Sequence, residues 1–87
     1  MAALNKHGKE THRLQKQYRE KDGEDFKVKY VFAFFENGDV LRKVYYSKTH
    51  VTTWKIYKRK LKTEVKTKLI LEMMSKGFSV VSNKQGA

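Results

Sequence analysis

Apolar side chains recur at every second position from Phe26 through Val28, Tyr30 and Phe32 to Phe34. Lys27 and Lys29 separate the first of them; Val31, Ala33 and Phe35 interleave with and follow the rest. A period of two in aromatic and β-branched residues predicts a strand. Asn37-Gly38 comes next, a strong hairpin signal because both residues tolerate a positive φ. Val40 to Tyr46 then reads as the returning strand, which gives a β-hairpin over about 26–46. A two-residue turn would pair Phe35 with Val40 and Val31 with Val44. A three-residue bulged turn would shift the register by one and send every side chain of the second strand to the other face. Both registers fit the sequence.

Beyond the hairpin the period changes. Val51, Trp54, Tyr57, Leu61, Val65, Leu69 and Met73 are spaced by three and four, as on one helix face. The spacing predicts a helix over about 63–76. Residues 49–60 fit either an extension of that helix or a third strand, since Thr52 to Tyr57 is rich in β-formers; the strand is slightly favoured. Gly77 suits the left-handed position that ends a helix, Lys76 suits the negative end of its dipole, and Phe78 can fold back on Met73. A short last strand is expected at 78–81. Near the N-terminus, Leu14 and Tyr18 stand four apart behind Thr11, which reads as a short, marginal helix over 11–21. The fold class expected is therefore α+β, a small antiparallel sheet built on the hairpin and packed on one C-terminal helix. Residues 1–10 read as a disordered basic arm, 11–82 as a single domain and 83–87 as a tail.

Charge changes this picture more than size does. The 87-residue chain carries a formal +11, unevenly spread. Residues 42–68 hold ten cations against one anion, whereas residues 22–41 are net −3. A cationic block repels itself, and an anionic partner is the simplest reason for a small domain to tolerate it. Within it Lys55, Lys58, Arg59, Lys60, Lys62, Lys66 and Lys68 fall in 14 residues, with Glu64 the sole acid. Trp54 and Tyr57 lie inside the block, and Tyr45 and Tyr46 just before it. Cations interleaved with rings suit single-stranded nucleic acid or RNA loops, in which phosphates meet the charges and bases stack on the rings. Against this, Trp54 and Tyr57 are equally suited to a core that has few other large side chains, and lysine runs are commonly a solvated face.

Other chemistry finds little support. There is no cysteine, no glycine-rich phosphate loop, and no ligand spacing among His7, His12 and His50, which read as exposed. No enzymatic constellation, cofactor or metal is expected. No apolar run is long enough to span a bilayer, and no apolar leader opens the chain, so a soluble protein of the cytoplasm, or of the nucleus in a eukaryote, is expected.

The leading expectation is a non-enzymatic nucleic-acid-binding protein, RNA or single strands slightly ahead of duplex DNA. Its candidate contacts are Lys27, Lys29, Lys48, Lys55, Lys58, Arg59, Lys60, Lys62, Lys66, Tyr46, Trp54 and Tyr57, joined by Arg13, Lys16 and Arg19 of the N-terminal segment. The acidic tip Glu36-Asn37-Gly38-Asp39 would repel phosphates, which places the site at the opposite end of the hairpin, continuing onto the basic block. The alternative is a small inhibitor or adaptor that docks its basic face on an acidic protein surface. The aromatic load of the hairpin, Phe35 included, would then offer an exposed interface, a homodimer among the options. A membrane-surface role ranks last, because lysines flank the apolar stripe on both sides. A hairpin sheet on one helix with a basic face occurs in small RNA- and DNA-binding modules, but that analogy does not establish function.

Overall fold

The computed structural model describes residues 7–19, 26–46 and 50–83. Its centre is β2 (Phe26–Phe35), the strand whose alternation is plainest in the sequence. On one side β2 pairs with β3 (Val40–Tyr45), which pairs with β4 (Lys55–Lys58); on the other it pairs with β1 (Glu10–Arg19), which pairs with β5 (Ser79–Asn83). The result is a five-stranded antiparallel sheet of order β4-β3-β2-β1-β5. Neighbouring strands all alternate in direction, so the two edge strands, β4 and β5, run the same way. A connection between such strands must cross the sheet, and α1 (Thr63–Ser75) provides it. The expected α+β fold, with its hairpin, C-terminal helix and short last strand, is the one observed.

The hairpin takes the three-residue bulged turn. The Phe35 amide donates to the Asp39 carbonyl (3.0 Å), the Gly38 amide donates to the Phe35 carbonyl (3.0 Å), and Gly38 sits at φ +91°. Phe34 therefore faces Val40, and Val31 faces Lys43. This register sends Val40, Arg42 and Val44 to the face that carries Tyr30, Phe32 and Phe34. It sends Leu41, Lys43 and Tyr45 to the face that carries Lys29, Val31, Ala33 and Phe35.

The first of these faces is roofed by α1. Leu14, Phe32, Phe34 and Val40 are buried there with Met73, and Tyr30, Leu61, Leu69, Ile70 and Phe78 pack around them. Phe34 and Leu14 have no exposed surface. The helix ends as its sequence predicts: Gly77 lies at φ +100°, its amide donates to the Met74 carbonyl, and the Phe78 amide donates to the Met73 carbonyl (both 3.0 Å). That closure turns Phe78 back onto the core, edge-on to Phe32 with ring centroids 5.4 Å apart.

Two local expectations are corrected. The helix expected over 11–21 is replaced, over its described residues 11–19, by strand β1, next to β2 and β5; residues 20 and 21 lie outside the described residues. Leu14 and Tyr18, four apart, satisfy a period of two as well as one of 3.6. Lys16 between them hides the alternation, because it too points to the helix side, where its Nζ donates to the Lys76 carbonyl at the end of α1. Among the described residues of 49–60, the expected strand forms only at Lys55–Lys58. Before it, Val51 bridges Tyr45, and Thr52 is tied to Val44 by its amide (2.9 Å) and by its hydroxyl oxygen, which accepts from the Val44 amide (2.8 Å).

Candidate functional site

The face of the sheet away from α1 has no second layer among the described residues. Its interior end is closed by Trp54, which packs on Ala33, Phe35 and Leu41. Around that ring the register assembles a set of cations. Arg13 lies opposite Ala33 on β1, and its guanidinium carbon is 5.3 Å from the Trp54 ring centre. Lys43 of β3 brings its Nζ to 5.5 Å from Trp54 and to 5.7 Å from the Tyr45 ring. Lys29, paired with Tyr45, places its Nζ 4.4 Å over the same ring. Lys27 shares this face by alternation along β2 and is exposed. Gln15 and Gln17 of β1 complete its polar lining.

These contacts differ in how far the protein already satisfies them. Arg13 forms a two-bonded pair with Glu10, Nε and the terminal nitrogen donating at 2.8 and 2.7 Å. Lys43 has no acidic partner among the described residues, and its charge rests against the two rings.

Most of the residues anticipated from sequence fall into three groups, with Tyr57, Arg19, Tyr46 and Lys48 apart from them. Arg13, Lys27, Lys29 and Trp54 share the open face. Lys55, Lys58, Arg59, Lys60 and Lys62 are exposed along β4 and the loop into α1. Tyr57 belongs to the helix side, edge-on to Phe32 at 5.0 Å and beside Arg42. The third group is engaged inside the fold: Lys16 at the helix terminus, and Lys66, whose Nζ reaches Thr11 Oγ1 at 3.4 Å and the Phe35 carbonyl at 3.5 Å. Arg19 is exposed and donates to Gln17 Oε1, Tyr46 is exposed beside His50, and Lys48 lies outside the described residues.

The basic block does not continue from the Lys27–Lys29 end of the hairpin, as expected, but lies at its tip. Lys58 pairs with Val40 just past the turn; the Lys60 amide donates to Asp39 Oδ1 and the Leu61 amide to the Gly38 carbonyl (both 2.9 Å). Asp39 is therefore no exposed repeller of phosphate. It is buried, and it also takes bonds from His7 Nδ1 and from the Asn37 side-chain amide (3.0 Å). Burial alone would raise its carboxyl; the bonds from Lys60, His7 and Asn37 outweigh that and hold it below the ordinary carboxylate value. His7, read as exposed, is half-buried, with its ring 5.3 Å from that of Phe35. Phe35, anticipated as an exposed interface aromatic, is buried between this ring and the Trp54 cluster.

The sequence places Tyr45 beside the basic block and Lys43 among the cations of residues 42–68, but nothing in it joins them to Lys29 and Trp54. Only the hairpin register brings them to the face of Lys29 and Trp54, and that register was the open alternative of the turn. Among the described residues no group of three or more histidine, cysteine or acidic side chains could hold a metal ion, and no helix is long and apolar enough to cross a membrane. No protein-family model, curated protein or solved structure matches the chain.

Proposed function

We propose that the protein binds nucleic acid without catalysing a reaction on it, and that the open sheet face is where it does so, with RNA and single strands preferred to duplex DNA. The observation that carries this reading is the Tyr45–Trp54 pair with Lys29, Lys43 and Arg13 held over the rings. A single strand offers both partners this surface needs, phosphates for the cations and bases for the rings. The exchange is favourable by magnitude. A cation over an exposed ring contributes about 0.5–1 kcal/mol, whereas a base stacked on the ring contributes about 1–3 kcal/mol. A phosphate can therefore draw the lysine off while a base takes its place. Lys55, Lys58, Arg59, Lys60 and Lys62 at the far edge add attraction at a distance, which speeds encounter and strengthens binding at low salt.

A titration followed by Trp54 fluorescence tests this with an eight-nucleotide uridine strand, its deoxythymidine equivalent and a short duplex. Both single strands are expected to quench Trp54, with a log–log salt slope of about −0.7 per phosphate held. Equal, weak binding of all three that vanishes at about 0.2 M salt would mean unspecific attraction to a cationic protein and would refute the reading.

One observation favours a protein partner instead. The β5 edge presents Val80 and Val81, both substantially exposed, and Leu71 and Met74 of α1 are exposed as well. A partner held by these apolar side chains would differ from the acidic surface anticipated from sequence, and Val81→Lys would then abolish its binding while leaving oligonucleotide affinity intact.

A further inference from the structure

Lys43 stands between two aromatic rings. Its Nζ lies within 6 Å of both the Tyr45 and the Trp54 ring centres, so the rings are no farther apart than those two distances together. The arrangement follows from β-structure. Lys43 and Tyr45 are alternate residues of β3 and share a face, while Trp54 enters from the segment before β4 to cover Leu41, the residue two before Lys43. Taken by position along β3, with Trp54 against the Leu41 cluster, the order is ring, cation, ring. A single strand of nucleic acid has the matching order of base, phosphate, base. Among the described residues Lys43 also lacks what Arg13 has, a carboxylate of its own. Lysine is a compact charge suited to a single phosphate.

We propose that Lys43 holds the phosphate that links two consecutive nucleotides, whose bases stack on Tyr45 and Trp54. The site is thus a two-nucleotide reader of a single strand, indifferent to base identity because every base has a stacking face. Lys29, on β2 across from Tyr45 and over its ring, would take a neighbouring phosphate. This rests on the nucleic-acid reading above and adds to it which strand segment sits where.

The test compares an eight-nucleotide uridine strand with an abasic strand of equal phosphate count, measured by fluorescence anisotropy of the labelled strand. Lys43→Gln is expected to weaken uridine binding by roughly 10-fold, the scale of one lost stack and its phosphate, and Lys43→Arg to recover most of it. The same change should cost the abasic strand much less. Lys62→Gln, in the basic loop, should weaken both strands alike. Tyr45→Ala should also cost roughly 10-fold, but little more once Lys43→Gln is present, because ring and phosphate act together. Thermal melting checks that each variant folds, and Tyr45→Phe, which keeps the ring, should bind like the parent. If Lys43→Gln and Lys62→Gln lower the affinity of both strands equally, the two-nucleotide site is wrong while nucleic-acid binding stands. If the parent protein binds neither strand, both fall.

Discussion

His12 sits on β1 with its Nδ1 3.0 Å from Thr11 Oγ1, an oxygen that Lys66 also approaches from the helix while the Thr11 hydroxyl donates to the Phe34 carbonyl at 3.2 Å. Burial, and then the Lys66 charge, lower the His12 pKa below its ordinary 6.5. The unfolded chain therefore takes up this proton more readily than the folded one. The stabilisation is complete above about pH 6.5 and declines as pH falls from there through the folded value. The urea midpoint is expected to drop between about pH 7.5 and pH 5, and His12→Gln should shrink that drop; an unchanged drop would mean that His12 is not the group responsible. Asp39 acts in a separate window. Its depressed carboxyl stabilises the fold above the ordinary value of 3.8, and that contribution is lost only as pH falls below it through the folded value. At this scale the sequence is least informative. Arg13, Lys16 and Lys66 look like any other exposed cations along the chain, and only their partners Glu10, Lys76 and Thr11 show that the fold already uses them.

Elements were legible where local chemistry decides them. The β2 alternation, the Gly77 helix end and the Phe78 return each follow from residues within a few positions of one another. β1 was not legible, because its two apolar side chains fit a helix and a strand equally and its strand character is imposed by β2 and β5 on either side. The turn between β2 and β3 is intermediate. Asn37-Gly38 announces it, yet the choice of the bulged form rests on Lys60 and Leu61, distant in sequence, which close over it. Gly38 is thus constrained twice, by its positive φ and by close approach: a Cβ there would lie 2.3 Å from the Leu61 carbonyl oxygen. Gly38→Ala should cost more than about 1 kcal/mol in urea unfolding. A loss within about 0.5 kcal/mol, the range of ordinary surface changes, would show that the loop is not packed on the turn as described.

For the whole molecule the governing fact is a charge of +11 on 87 residues with few acids to offset it. Self-repulsion of this kind is screened by salt, so raising the ionic strength from about 0.02 to about 0.5 M should raise the melting temperature; a fall would point to ion pairs as the dominant electrostatic term. The same charge protects the sheet. Lys55 and Lys58 on β4 discourage edge-to-edge pairing there, whereas β5 carries no ionised side chain. The excess charge was plain in the sequence, but its division between an open sheet face and a loop at the hairpin tip was not, since that depends on strand order and register together. The most direct test of the central claim is an amide and indole NMR map of the protein with an eight-nucleotide uridine strand at about 0.1 M salt, where surface charges beyond about 10 Å are screened. The largest shifts are expected at Lys29, Val31, Lys43 and Tyr45 and at the Trp54 indole. Shifts confined to Lys58–Lys62, with the open face unmoved, would contradict it.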